Sequence, residues 1–269
     1  MVTASTFTTA NAAEADDAAV FRSLRWNNLI VGLIHLVQGC VLLLLSNDFS
    51  LPIVGSFVDG PPGTAPTAAG TIWNVQLGYA VALFLFLAAA DHLLMAAPGV
   101  NAWYVQNLRN RVNRGRWIEY SISASLMMVL IAMVTGILEL TALVVIFGAN
   151  AAMIFFGLIM ESVSKPGDER IDWWPFIFGS IVGVVPWIAI VIQLAYTRQQ
   201  VTGDGIPGFV YGIIVSLFIC FNSFAVNMVL QYKQVGPWRS YLFGERAYIL
   251  LSLIAKSLLA WQIFANTLT

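Results

Sequence analysis

An all-α membrane protein, built as a bundle of seven transmembrane helices, is the fold class this chain predicts, and three observations predict it. Of the 269 residues, 59% are hydrophobic and only 10% are charged. The mean hydropathy is +0.79, a balance that belongs to a polytopic membrane protein rather than a water-soluble domain. Seven stretches are long enough to cross a hydrocarbon core about 30 Å thick; they fall at 26–46, 71–97, 115–135, 139–161, 173–197, 208–232 and 245–267. One bundle, residues 26–269, then absorbs the chain without a second soluble domain. The net charge of −1 offers nucleic acid no basic surface.

The first 25 residues are rich in Ala and Thr, carry Glu14, Asp16 and Asp17, and lack a basic start followed by an apolar core. They predict a disordered cytoplasmic tail rather than a cleaved signal peptide. The first span holds His35 and Cys40. After it comes the one long loop, residues 47–70, in which 51–58 has strand-like residues and Asp59-Gly60-Pro61-Pro62-Gly63 has turn chemistry. A short β-hairpin is expected there, with a plain surface loop as the alternative. A hairpin would expose a pairing edge that a neighbouring protomer could cover. Cys40 and Cys220 both fall inside spans, where a thiol behaves as a small apolar group, so no disulfide framework is implied.

The cationic residues orient the bundle. Arg22 and Arg25 precede the first span; Arg109, Arg111, Arg114 and Arg116 follow the second; Lys165 and Arg170 follow the fourth; and Lys233, Arg239 and Arg246 follow the sixth. These eleven of the 13 Lys and Arg lie on one side, Arg198 lies on the other, and Lys256 lies within the last span. Cationic loops stay in the cytoplasm, which puts the N-terminus inside and the C-terminus outside a cell (plasma) membrane.

Lys256 is the only lysine within any apolar run. An ammonium at that depth costs about 3 kcal/mol on insertion scales, so its default reading is functional. A buried lysine on the last of seven helices is what a Schiff base to retinal requires: desolvation frees the amine to attack an aldehyde, and the resulting cation needs a counterion. A structural ion pair between helices is the alternative. Glu119, in Arg116-Trp117-Ile118-Glu119 at the start of the third span, is the natural counterion. Side chains lean toward the N-terminal end of their helix, and the third and seventh spans both enter from the cytoplasm, so Glu119 and Lys256 can converge. A carboxylate paired with the local Arg116, three residues away on the same face, is the alternative for Glu119.

One turn before the lysine, the Ser252 hydroxyl can bond the imine or the Glu119 carboxylate. His35 and His92, in the cytoplasmic halves of the first two spans, could hold a proton released from the imine, or be ordinary hydrogen-bonded histidines. Asp91 points about 100° around the helix from His92 and has no assigned role. Met127, Asn150, Met153, Pro186-Trp187, Phe218, Phe221 and Trp261 offer the apolar and aromatic walls of a polyene pocket, although each taken singly is more often packing. Gly148, Gly157, Gly179 and Gly183 read as close helix contacts.

The segments Arg116-Trp-Ile-Glu-Tyr-Ser121, Ile146-Phe-Gly-Ala-Asn150, Val185-Pro-Trp187, Ile206-Pro-Gly-Phe-Val-Tyr-Gly212, Phe221-Asn-Ser-Phe224, Gly244-Glu-Arg-Ala-Tyr248 and Ser252-Leu-Ile-Ala-Lys-Ser257 span nearly the whole bundle. In this order they resemble the heliorhodopsins, retinal-binding proteins whose topology is inverted relative to other microbial rhodopsins. The resemblance implies all-trans retinal on Lys256, Glu119 as counterion, Ser252 beside the imine, and His35 and His92 near a cytoplasmic proton-holding site. It also implies a homodimer involving the first outer loop, and a slow photocycle used for sensing, with no enzymatic activity. The resemblance assigns no role to Asp91.

The residues separately disfavour a pump. No acid lies between Glu119 and Glu139, and the outer halves of the spans hold no ionisable chain beyond Glu139 at a boundary, so a proton leaving the imine has no outward relay. A light sensor embedded in the lipid bilayer is therefore expected, with room for an unidentified cytoplasmic signalling partner. A light-driven transporter, or a seven-helix protein without retinal, are the alternatives.

Overall fold

The computed structural model describes the backbone of residues 3–200 and 206–267 and the side chains of 18–200 and 206–266. Among the described residues eight α-helices form, seven of them long and apolar enough to cross a membrane. The membrane helices are α1 (Thr3–Leu45), α2 (Leu77–Ala96), α4 (Arg114–Val134), α5 (Leu140–Val163), α6 (Trp174–Gln200), α7 (Gly208–Tyr232) and α8 (Tyr241–Thr267). The crossing part of α1 is Ala18–Leu45. The short helix α3 (Val100–Arg109) lies in the second connection. In lipid only a helix satisfies every backbone group within its own segment, and that is why each apolar run of this length is helical.

Three boundaries differ from expectation. Residues 18–25, expected in a disordered tail, continue α1, because Leu24 is only 1% exposed and packs with Tyr104 and Leu108 of α3. Residues 1–2 and the side chains of 3–17, also assigned to that tail, lie outside the described residues. Residues 71–76, expected to open the second span, are instead a strand. β1 (Ser50–Gly55) and β2 (Gly70–Gln76) pair antiparallel, Ser50 opposite Gln76 and Gly55 opposite Gly70, with an irregularity between Ile53 and Val54. The expected hairpin therefore forms, with its second strand taken from the start of the second hydrophobic stretch. The Val54 amide donates to the Leu138 carbonyl at 2.9 Å, tying the hairpin to the α4–α5 connection.

The third difference is α3, which fills part of what read as a plain cationic loop. Its Tyr104, Asn107 and Leu108 are buried while Trp103 remains exposed, an amphipathic pattern that three or four residues per turn place on opposite faces.

Helix α4 is the most buried membrane helix. Asn113 caps it, its side chain accepting from the Arg116 amide at 3.1 Å. At the hairpin end of the bundle Leu77, Val81, Phe84, Met128, Ile131, Ile190, Leu217 and Ile263 form a continuous apolar core. The opposite end is different: Asn28, Asn107, Asn113, Arg116, Glu161, Asn227, Gln231 and Glu245 are all buried there. Polarity is thus concentrated at one end of the bundle.

Candidate functional site

Lys256 lies near the middle of α8 and is 3% exposed. Its Nζ donates to Glu119 Oε1 of α4 at 2.7 Å, and the two form a buried ion pair. The lean of side chains toward the N-terminal ends of two helices running the same way brings these groups, 137 residues apart, together. The Tyr120 ring centre lies 5.2 Å from the lysine nitrogen, close enough for the electron-rich face to stabilise a cation.

Lys256 also lines a cavity of about 140 Å³. Met127, Phe221 and Ser252 of the expected pocket line it, as does Met153. So do residues that periodicity alone did not single out: Trp117, Tyr120, Phe156, Phe176, Phe224, Met228 and Tyr248. Trp187 is buried one layer behind, edge-on to Phe221 at 5.7 Å and to Phe218 at 5.1 Å. Phe218 is half exposed, Asn150 is buried with its amide donating to Ser125 Oγ at 3.1 Å, and Trp261 packs against Phe264; none of the three lines the cavity. Gly157 and Gly179 do line it. A Cβ at Gly157 would run into the Trp117 ring, one at Gly179 would approach Phe156 and one at Gly183 would meet Met153, whereas Gly148 has open space around it. Three of the four glycines read as close contacts are therefore such contacts.

Arg116 does not pair with Glu119. It forms ion pairs with Glu161 of α5 and Glu245 of α8. Its guanidinium also sits over the Tyr248 ring, 3.8 Å from the centre. The Trp117 indole and the Asn113 amide donate to Glu161 Oε2 at 2.6 and 2.9 Å, and the Asn113 side chain donates to Glu245 Oε2 at 2.6 Å. With every carboxylate oxygen accepting, the network ties α4, α5 and α8 together. The sequence held one signal for it: two acids, Glu161 and Glu245, at the ends of apolar runs on the same side as Arg116.

His35 and His92 stack with ring centres 5.9 Å apart. His92 Nδ1 is 2.8 Å from Asn28 Oδ1, and Asn28 in turn donates to Leu24 O and the Tyr104 hydroxyl. Burial, reinforced by Glu245, pushes the Tyr104 phenol well above its ordinary range, so it stays protonated. A second, smaller cavity of about 20 Å³ is lined by His92, Tyr104, Arg116, Tyr120, Glu245 and, unexpectedly, Asp91. Asp91 and His92 thus reach the same space despite the angle between them.

A family model described as heliorhodopsin matches residues 24–268, nearly the whole chain. The chain belongs to the heliorhodopsin family. Membership implies a retinal chromophore bound to lysine, and the site fits one: an apolar cavity that ends on a buried amine paired with an acid. The fold of this family member is similar to a crystal structure of a light-driven proton pump from Leptosphaeria maculans, with TM-score 0.64, 12% identity, and coverage of 91% of this chain and 94% of that one. At that identity the likeness concerns the fold. A search of curated proteins finds no sequence match to this heliorhodopsin.

Proposed function

We propose that this protein is a light sensor in which Lys256 holds all-trans retinal, Glu119 is the counterion and Ser252 lies beside the linkage. The observation that carries the reading is the buried Lys256–Glu119 pair at the wall of an apolar cavity. Retinal, when bound, supplies a polyene that absorbs visible light and isomerises. The chain supplies the rest. Lys256 Nζ carries the proton that the Glu119 carboxylate stabilises, and Tyr120 and Phe224 exclude water from that charge. Deprotonated after illumination, Lys256 Nζ has Glu119, His35 and His92 as the groups able to take its proton, all in the cytoplasmic half. Toward the C-terminus it meets the apolar core of Leu259 and Ile263. A proton that moves only inward and back does no transport, which favours a slow cycle used for signalling.

In this reading the cationic connections face the cytoplasm, the hairpin faces outward and takes part in a homodimer, and the surface from Arg109 to Arg116 with Lys233 to Arg246 receives an acidic partner or anionic lipid. The test is to reconstitute the purified protein with all-trans retinal. A visible absorption band is expected, and Lys256→Ala is expected to lose it, since no other lysine lies in a membrane span. A visible band retained in that variant would sink the assignment.

A further inference from the structure

Two cations and four acids meet in the cytoplasmic half of the bundle. Lys256 pairs with Glu119, and Arg116 with both Glu161 and Glu245. Asp91 is the remaining acid. It lines the small polar cavity beside Arg116, Tyr120 and Glu245, and its carboxyl interacts electrostatically with both Glu119 and Lys256. It forms no ion pair among the described residues.

The groups that reach Asp91 leave it no cation. From α4 come Arg116, already shared by two glutamates, the Glu119 carboxylate and the Tyr120 phenol. From α8 come Glu245, the Tyr248 phenol and Lys256, the last taken by Glu119. From α3 comes the Tyr104 phenol, and α1 contributes Asn28, with His35 stacked behind His92. Three carboxylates already outnumber the two cations, and an ionised Asp91, itself partly buried, would double the excess negative charge. Two carboxylates that share such a site do not both ionise readily.

We propose that Asp91 is a second acid of the Lys256 site, that it holds a proton in the resting protein, and that loss of this proton shifts the visible absorption to the blue. The inference rests on the retinal reading for its spectral part and on the charge count for its protonation part. On ionisation the Asp91 O–H bond breaks and the proton passes through the small cavity toward cytoplasmic water. The added negative charge near Lys256 Nζ then favours positive charge localised at nitrogen, which is the ground-state distribution, and so widens the absorption gap.

The experiment titrates the full chain with pH in two forms. With all-trans retinal bound, the wild type is expected to shift reversibly to the blue as pH rises. Asp91→Asn should keep the visible band but lose that transition, and Asp91→Glu should keep the transition at a displaced midpoint. Without retinal, infrared difference spectra of protein carrying 13C-labelled aspartate should show a protonated-carboxyl C=O band that disappears at high pH and is missing in Asp91→Asn. Identical spectral titrations of wild type and Asp91→Asn would overturn the proposal. So would the lack of a labelled carboxyl band in the wild type, a result that stands even if Asp91→Asn does not fold. If no pigment forms at all, the retinal reading fails, while the infrared band on the retinal-free protein still decides the protonation of Asp91.

Discussion

At the scale of single residues the site turns on one ion pair. Lys256 and Glu119 are 3% and 9% exposed and 2.7 Å apart, so each is the main compensation for the other's desolvation. Replacing Glu119 by Gln keeps the shape and removes the charge. The nitrogen of Lys256 should then give up its proton at lower pH, because its cation has lost its partner in a low-dielectric site. While it remains protonated, absorbance should move to the red, because the carboxylate no longer holds the positive charge at nitrogen. A spectrophotometric titration of Glu119→Gln beside the wild type checks both, and an unchanged band with an unchanged titration would remove Glu119 as counterion. The lysine and its acid were legible in the sequence, one by its depth and the other by its place on a helix entering from the same side. Asp91 was not, because which faces of α2 a cavity reaches depends on how α4 and α8 pack on it.

At the scale of elements, the Arg116 network fastens α4 to α5 and α8 across the polar end of the bundle. Removing one member of a buried pair leaves an uncompensated charge and costs about 3–5 kcal/mol, more than a surface pair is worth. Arg116→Met is therefore expected to lower the thermal unfolding midpoint markedly, and the triple variant Arg116→Met, Glu161→Gln, Glu245→Gln to recover part of the loss, since no ionised group is then stranded. Unfolding followed by circular dichroism in one detergent compares the variants; a midpoint for Arg116→Met equal to that of the wild type would show that the network does not hold the helices. The i, i+3 spacing of Arg116 and Glu119 had offered a local pairing as the alternative. Neighbouring positions on one helix only make a pair available, and here the two glutamates contributed by other helices take the arginine while Lys256 takes Glu119.

At the scale of the whole molecule, the bundle has a polar end and an apolar end, and its cationic connections lie almost all on the polar side. Single cysteines introduced at Arg198 and at Lys233 should be labelled by a membrane-impermeant reagent on opposite sides of intact cells, Arg198→Cys from outside and Lys233→Cys only after lysis. The reverse pattern would invert the proposed topology. The same asymmetry predicts that illumination of vesicles containing the protein causes no sustained change of external pH and no stationary photocurrent, with or without a protonophore. A sustained, protonophore-sensitive change would replace the sensor reading with a transporter.

What the sequence determined by itself follows from quantities that add up locally. Hydropathy summed over about 20 residues marks a span, the depth of Lys256 is its place within such a run, and orientation is a count of cations on each side. Turn chemistry in 59–63 likewise marked the hairpin, though not where its second strand ends. The rest depends on how helices are rotated against one another and which strand finds a partner. Residues 71–76 are apolar enough for a helix but form β2 because β1 offers them a pairing edge. Residues 18–25 look like a polar tail but stay helical because α3 packs on Leu24. Arg116 chooses its acids, and Asp91 reaches the cavity beside Arg116 and Tyr120, only once α2, α4, α5 and α8 are assembled, because a buried charge is matched by whatever its neighbours in space present, and those neighbours are far apart along the chain.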